Sequence, residues 1–178
     1  MKFLTMLIMA ATFAFRQTKT LVESPIPVLT ACEILSQRMH YNGKVVSIRA
    51  RIHNTDEGVW LDGKNCPDLI TTDEHAWPSM IAVQTANATD FTSSYEGLRK
   101  LRPKLMRLGR HAPERCIIWT YTGVFEARAT YTKVSYPNGS SHYIGFGHLD
   151  AAPAQLLWKT VADVNVDPNC DADTVPKK

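Results

Sequence analysis

The chain lacks the short motifs that identify most catalytic sites in a sequence. It has no GxSxG nucleophile motif and no helical HExxH motif, and none of its four cysteines forms a CxxC pair. The first two absences argue against an α/β-hydrolase and a zinc metalloprotease, and the third argues against a zinc ribbon or a thioredoxin-type site. We therefore predict no catalytic residue, no metal and no cofactor, and a non-enzymatic protein is favoured.

Long apolar runs are equally scarce, and the longest lies at the start of the chain. Residues 3–15 are mostly apolar, follow Lys2 and are ended by Arg16. This arrangement is typical of a secretory signal peptide, and the run is too short for a permanent membrane anchor. We therefore predict a signal peptide over residues 1–16, no transmembrane segment in the mature chain, and a periplasmic or secreted protein.

The rest of the chain has the composition of an ordinary globular domain. Of all residues, 44% are hydrophobic and 21% are charged, so enough apolar surface is available for one core. We predict a single domain over residues 28–166 and a polar, flexible tail over residues 167–178.

Cysteine is rare but present in an even number. In an oxidising compartment four cysteines predict up to two disulfides, for which three pairings are possible. Four buried thiols are the alternative. The residues concerned are Cys32, Cys66, Cys116 and Cys170.

A capping box predicts a helix near the N-terminus of the domain. The hydroxyl of Thr30 can accept from the backbone of Glu33, whose carboxylate can reach back to Thr30. Leu29 and Ile34 supply the accompanying hydrophobic contact, and the helix is expected to end at Asn42-Gly43.

Alternation of apolar and polar residues predicts the strands. In residues 44–53, Val46, Ile48 and Ala50 share one face, which is typical of a half-buried strand. Asn138-Gly139 predicts a hairpin turn. Further strands are predicted at residues 59–61, 80–85, 116–133 (with a bend at Gly123), 143–146 and 155–166.

Four leucines at helical spacing predict a second helix, which Pro103 is expected to kink or split. These leucines are Leu98, Leu101, Leu105 and Leu108. Three predicted strands thus precede this helix and further strands follow it, and three strands, a helix and two more strands is the order of an OB-fold. We predict a mainly β (α+β) fold: a five-stranded OB-like Greek-key barrel with an N-terminal helix and a helix between strands three and four. A generic α+β sandwich is the alternative.

Several short segments together carry a resemblance: Cys32-Glu-Ile-Leu35, Tyr41-Asn-Gly-Lys-Val45, Ile48-Arg49, Cys66-Pro67, Gly123-Val-Phe125, Gly147-His-Leu149 and Ala154-Gln-Leu156. They resemble segments of uncharacterised exported bacterial proteins with OB-fold-like domains. The resemblance implies an OB-like barrel and a Gram-negative envelope or secreted location, and it implies no activity. Because Cys32 and Cys66 both lie in these segments, it also favours a Cys32–Cys66 disulfide.

The segment from His142 to Asp150 could hold a metal. His142, His148 and Asp150 offer nitrogen and oxygen ligands to a zinc-like ion, and a metal-dependent hydrolase centred on them is the alternative function. The structural interpretation is that Gly145 and Gly147 allow a close backbone approach while His148 ties the loop by a hydrogen bond. Other histidines that could complete a metal shell are His40, His53, His75 and His111.

Positive charge is concentrated in one segment. Its basic residues are Arg99, Lys100, Arg102, Lys104, Arg107, Arg110 and Arg115. A cationic helix face attracts phosphate, sulfate or carboxylate, although a solvated face is the simpler interpretation. Outside the cytoplasm the partner is expected to be an anionic glycan, a lipid head group or an acidic envelope protein rather than nucleic acid. We predict Arg99, Arg102 and Arg107 as binding residues of an exported OB-like binding or scaffolding module of the cell envelope.

Overall fold

One six-stranded mixed sheet, with strands drawn from almost the whole domain, dominates the fold. The computed structural model describes residues 25–63, 66–67, 70–73, 75–88, 91–92, 94–110, 112, 116–168 and 170. The predicted signal peptide and residues 171–178 of the predicted tail lie outside these residues. The prediction of a mainly β fold is confirmed.

The elements alternate between long strands and short hairpins. In chain order they are β1 (Val28–Thr30), α1 (Ala31–Ser36), α2 (Arg38–Tyr41), β2 (Val45–Thr55), β3 (Gly58–Asp62), β4 (Thr71–Thr72), β5 (His75–Ala76), β6 (Met80–Thr85), β7 (Asn87–Ala88), β8 (Phe91–Thr92), α3 (Glu96–Leu108), β9 (Ile117–Ala127), β10 (Lys133–Ser135), β11 (Ser141–Tyr143), a 3-10 turn (His148–Asp150) and β12 (Ala154–Val166). None of the helices in the described residues is long and apolar enough to cross a membrane.

Five strands of the main sheet pair in a closed cycle. Its order is β1-β2-β3-β6-β12-β9, and β2 pairs with β9 as well. Strands β2, β3, β6, β12 and β9 therefore form a closed cycle. Within the cycle only β6 and β12 run parallel, and the other four pairings are antiparallel.

Local sequence explains the first helix. The Glu33 carboxylate accepts from the Thr30 backbone at 2.7 Å, and the Thr30 hydroxyl accepts from the Glu33 backbone at 3.2 Å, so the capping box is present. The hydrogen bond from the Thr30 backbone is the main cause that lowers the pKa of Glu33. The predicted single helix is, however, two short ones, which meet at Gln37.

The core lies inside the closed cycle of strands. Val46, Ile48 and Ala50 of β2 are buried as the alternation predicts, and Ile34 of α1 belongs to the same cluster. The four leucines of α3 pack against this cluster. Because α3 continues through Pro103 as one helix of 13 residues, the expectation that Pro103 splits it is wrong. Pro103 lies on the exposed side, where water can reach the backbone carbonyl that loses its partner.

The seven short strands β1, β4, β5, β7, β8, β10 and β11 differ most from the prediction. Two or three residues carry too little alternation to reveal a strand in the sequence. The predicted strand at residues 143–146 is instead β11, which ends at Tyr143 and pairs with β10 across the predicted turn. The predicted strand at 116–133 ends at Ala127.

Two disulfides fasten the periphery of the sheet. Cys32 pairs with Cys66 and Cys116 pairs with Cys170, with Cα atoms 5.3 and 5.4 Å apart. The Cys32–Cys66 prediction is confirmed, and the alternative of four free thiols is wrong because all four cysteines are paired. Disulfides of this kind are consistent with an oxidising compartment. The second disulfide also links the first part of the predicted tail to the start of β9.

Gly123 permits the close contact between β9 and β12. It pairs with Trp158 while Thr122 pairs with Thr160, so Lys159 is the extra residue of a β-bulge. A Cβ atom at Gly123 would overlap the backbone carbonyl of Leu157. A side chain at this position would therefore push apart β9 and β12, the two strands with the longest pairing in the sheet.

Replacing Gly123 by alanine is expected to lower the free energy of unfolding by about 1–3 kcal/mol, because the backbone it would meet cannot move aside easily. The matched control is Gly109→Ala, where the nearest atom to a new Cβ, the Leu105 carbonyl oxygen, lies at 3.4 Å and φ is −62°. Urea denaturation measures both variants. Equal stability of the two would contradict the assigned role of Gly123.

Candidate functional site

The three arginines of helix α3 are exposed. Lys100 pairs with Glu96 at 2.7 Å along the helix, and Lys104 donates to Asp163 of β12 at 2.6 Å. Arg99, Arg102 and Arg107 are exposed, and they form no ion pair with the described residues. Within the described part of the chain, the three residues that the sequence analysis selected are therefore left without an ion pair, and whether they bind a partner stays a prediction.

The three arginines spread over the outer side of α3. At about 100° per residue, Arg99 lies between the other two, with Arg102 about 60° to one side and Arg107 about 80° to the other. From Arg99 to Arg107 the helix rises about 12 Å. Exposed Met106, 64% accessible, lies within the same face. The charges are too far apart to converge on one small anion, so the face suits an extended anionic partner.

Lys104 ties this helix to strand β12 of the main sheet. Its Nζ donates to Asp163 Oδ1 at 2.6 Å and to Asn165 Oδ1 at 3.1 Å. The hydrogen bond from Lys104 is the largest cause that lowers the pKa of Asp163, ahead of the opposing effect of desolvation. The basic face is thus held in a fixed orientation relative to β12.

A second candidate site is a cleft of about 440 Å³ between the β4–β5 hairpin, the β10–β11 hairpin and the 3-10 turn. Its floor is aromatic and its rim carries charges of both signs. The lining residues that matter here are Asp73, His75, Trp77, Lys133, His142, Tyr143, Leu149 and Asp150. Sequence analysis missed Asp73, Trp77 and Lys133 as site residues, because only the tertiary structure brings their three segments together.

Stacked rings hold the walls of the cleft. Trp77 lies 4.4 Å from Tyr131 between ring centroids, and the His75 ring stacks on Tyr143 at 5.3 Å. The Lys133 ammonium lies 5.7 Å from the Tyr143 ring centroid. Trp77 and Tyr143 are buried, so these rings form a rigid wall rather than open stacking platforms.

The structure brings together two of the three residues of the alternative metal site. His142 Nε2 lies 3.5 Å from Asp150 Oδ2, and His142 Nδ1 lies 3.1 Å from the Tyr136 hydroxyl. His148 is exposed, and its ring makes no hydrogen bond with the described residues, so the expected tie through this ring is not found. Both nitrogens of His142 therefore already have partners within the protein.

The remaining histidines do not add a ligand set. His75 lines the same cleft, whereas His40 and His53 lie elsewhere and His111 falls outside the described residues. Within the described part of the chain, no group of three or more His, Cys, Asp or Glu residues could hold a metal ion.

The loop before β12 has an unusual backbone. Leu149 and Asp150 are consecutive residues with positive φ, 54° and 56°, and neither is glycine. Close packing holds the loop: a Cβ at Gly147 would overlap the Trp60 ring, and one at Gly145 would overlap the backbone carbonyls of Asp150 and Ala152. The two glycines thus give the close backbone approach that the sequence analysis expected.

A smaller cavity of about 260 Å³ lies beside the first disulfide, and two of its charged lining residues, Arg51 and Asp167, pair with each other. The Arg51 guanidinium donates to the buried carboxylate of Asp167 through two nitrogens. Asp167 also donates its backbone N–H to the Cys116 carbonyl at 2.7 Å. This ion pair joins β2 to the C-terminal end of the described chain, so its role is structural.

Comparison with other proteins gives no further guidance. No family model, curated protein or solved structure matches the chain. The resemblance to exported bacterial proteins therefore stays a prediction, and function is argued from the geometry of α3 and of the cleft.

Replacing Lys104 by methionine is expected to raise the pKa of Asp163 towards its ordinary value. A lowered pKa in the folded state contributes stability above the ordinary pKa, and this contribution is lost as the pH falls through the lowered one. At neutral pH the wild type should therefore have a higher free energy of unfolding than the variant. The difference should be less than about 1 kcal/mol, because both side chains are partly exposed. This difference in stability should become smaller in acid.

NMR titration of the side-chain carboxyl carbon measures the pKa, and denaturation at several pH values measures the stability. Lys100→Met is the matched control, since Lys100 pairs with Glu96 and does not contact Asp163. An unchanged pKa of Asp163 in Lys104→Met would show that the pairing with Lys104 is not formed in solution.

Proposed function

We propose that the chain is an exported, non-enzymatic OB-like binding module of the cell envelope, periplasmic or secreted, that binds an anionic partner on α3. One observation carries the proposal: ion pairing within the fold uses Lys100 and Lys104 and leaves Arg99, Arg102 and Arg107 exposed on a fixed helix. A face of unpaired guanidinium groups attracts anions and can hydrogen-bond phosphate, sulfate or carboxylate in a bidentate manner.

The strand order supports the OB-like assignment. An OB-fold is a five-stranded Greek-key barrel, and β2, β3, β6, β9 and β12 pair in a closed cycle of five. Along the chain, β2, β3 and β6 come first, α3 follows, and β9 and β12 come last. In the sheet, the fifth of these strands, β12, lies between the third, β6, and the fourth, β9. The shorter strands are then additions at the ends and in the connections of this barrel.

The two disulfides support the compartment. Disulfides persist in oxidising surroundings such as the bacterial periplasm and the extracellular space, and they are rare in the cytosol. A signal peptide over residues 1–16 and the resemblance to exported bacterial proteins are consistent with that location. In this setting an anionic glycan, a lipid head group or an acidic envelope protein is a more accessible partner than nucleic acid.

The geometry favours an extended partner over a single ion. Arg102 and Arg107 point about 140° apart around the helix axis, so one small anion cannot contact both directly. A polymer or surface with repeated charges can contact all three arginines at once. Such binding weakens as salt increases, because exposed charges are screened.

The triple variant Arg99→Ser/Arg102→Ser/Arg107→Ser is expected to bind anionic probes at least about tenfold more weakly at low salt. Each exposed ion pair contributes up to about 1 kcal/mol, and a tenfold change corresponds to about 1.4 kcal/mol. The probes are alginate, phosphatidylcholine vesicles with and without phosphatidylglycerol, and poly-glutamate, which separate the three partner classes. Binding is measured by titration calorimetry over a range of salt concentrations.

The matched control is the triple arginine-to-lysine variant at the same positions, which keeps the charge and should retain most of the salt-sensitive binding. Circular dichroism checks that each variant is folded. If the serine variant binds every probe as the wild type does, α3 is not the binding surface.

The metal-dependent hydrolase is the competing function, and elemental analysis tests it directly. Zinc, manganese or iron present in a stoichiometric amount in protein purified without chelators, and lost in His142→Ala, would favour the hydrolase. We expect less than stoichiometric metal, because both nitrogens of His142 have protein partners and the exposed His148 makes no contact with them.

A further inference from the structure

Leu149 is the most exposed large hydrophobic residue in the described part of the chain. Its exposed fraction is 75%, compared with 64% for Met106 and 63% for Tyr95. An exposed leucine alone is ordinary, but this one occupies a backbone conformation that leucine rarely adopts, with φ 54° and ψ 26°. Asparagine, aspartate or glycine would occupy this position at a lower cost in free energy.

The surrounding loop fixes that conformation. Phe146 and Ala152 exchange two backbone hydrogen bonds of 2.8 and 3.0 Å, and His142 holds Asp150 from the side. Gly147 packs directly on the Trp60 ring. A strained residue that its surroundings hold in place, and that contributes nothing to the core, is a recognised sign of a functional position.

Leu149 also forms one wall of the cleft of about 440 Å³, so a protruding apolar side chain and a cavity lie next to each other. The apolar part of this cavity comes from Trp77, Pro78, Tyr143 and Ala151. A two-fold dimer uses the same patch on both subunits, and therefore requires a surface that is complementary to itself. A protrusion beside a cavity meets this requirement, because each copy can insert its protrusion into the cavity of the other.

We infer that Leu149 and the cleft form the contact of a two-fold dimer of this chain, in which Leu149 of each copy enters the cleft of the other copy. The charges are compatible with this arrangement. The cleft carries Asp73 together with Lys133, so an acidic group of one copy can face a basic group of the other across the two-fold axis. A patch with charge of one sign would instead repel its copy.

The dimer explains two observations that the binding proposal on α3 leaves without a role. It covers the exposed leucine, and it gives a function to the strained turn that presents it. The dimer is independent of the anionic partner, because α3 contributes no lining residue to the cleft.

Sedimentation velocity of the mature, disulfide-bonded chain over a wide range of protein concentrations tests the inference. We expect a concentration-dependent dimer for the wild type. Leu149→Asp should be monomeric at every concentration at which the wild type is dimeric, because a charge replaces the inserted side chain. Met106→Asp is the matched control: it introduces the same charge at an exposed apolar residue of α3 and should dimerise as the wild type does.

A second variant tests the cleft without changing Leu149. In Ala151→Trp a large ring occupies the cavity, and we again expect a monomer. A wild type that stays monomeric at all concentrations, a Leu149→Asp variant that still dimerises, or an Ala151→Trp variant that still dimerises would each overturn the inference. If the wild type stays monomeric, the partner that covers Leu149 and the cleft would be a different protein and not a second copy of this chain.

Stability measurements separate this role from a structural one. Leu149→Asn places a residue that tolerates positive φ at the strained position. We expect this variant to dimerise more weakly than the wild type. Its monomer should unfold at a urea concentration at least as high as that of the Leu149→Asp monomer. If Leu149 served the fold instead, both variants would unfold at a distinctly lower urea concentration than Met106→Asp even at a protein concentration low enough for all three to be monomeric, and that result would also overturn the inference.

Discussion

The pairing of β9 with strands on both of its sides is the constraint on which the rest of the structure depends. Strand β9 pairs with β12 along one edge and with β2 along the other, which joins the first and last long strands of the domain. These contacts close the cycle of strands and enclose the core. They require the chain at Gly123 to approach β12 more closely than any side chain would allow.

Closure also determines where the candidate surfaces lie. Because inward-facing side chains of the sheet form the core, the connections and the outer face of α3 are exposed parts where a partner could bind. Lys104 fixes α3 against β12, and packed rings fix the loops around the cleft. Contacts within the fold therefore hold both candidate surfaces in place, and the binding proposed for each requires no rearrangement of the core.

Sequence analysis succeeded where the signal is local. The capping box of Thr30 and Glu33, the alternation in β2 and the limits of β6 depend on neighbouring residues alone, and the structure has all three. It failed where spatial neighbours decide. Residues 128–133 continue the composition of a strand, but β9 ends at Ala127, and this end coincides with the start of β12 at Ala154 in the register.

The candidate sites also combine features that are visible in the sequence with features that depend on neighbours in space. The excess of basic residues in α3 is visible in the sequence, but the pairing of Lys104 depends on Asp163, which lies 59 residues away in the chain. The cleft has no sequence signal, because Asp73, Lys133 and Leu149 come from three separate segments of the chain.

The sequence by itself determined a mainly β chain, the two helices that contain its clearest helical signals, an even set of cysteines and a basic segment, since each follows from local pattern or composition. The tertiary structure decided the closure of the sheet, the partner of each cysteine, and the side chains that remain exposed. The physical reason is that these properties depend on distances between segments far apart in the chain, which only the packed fold defines.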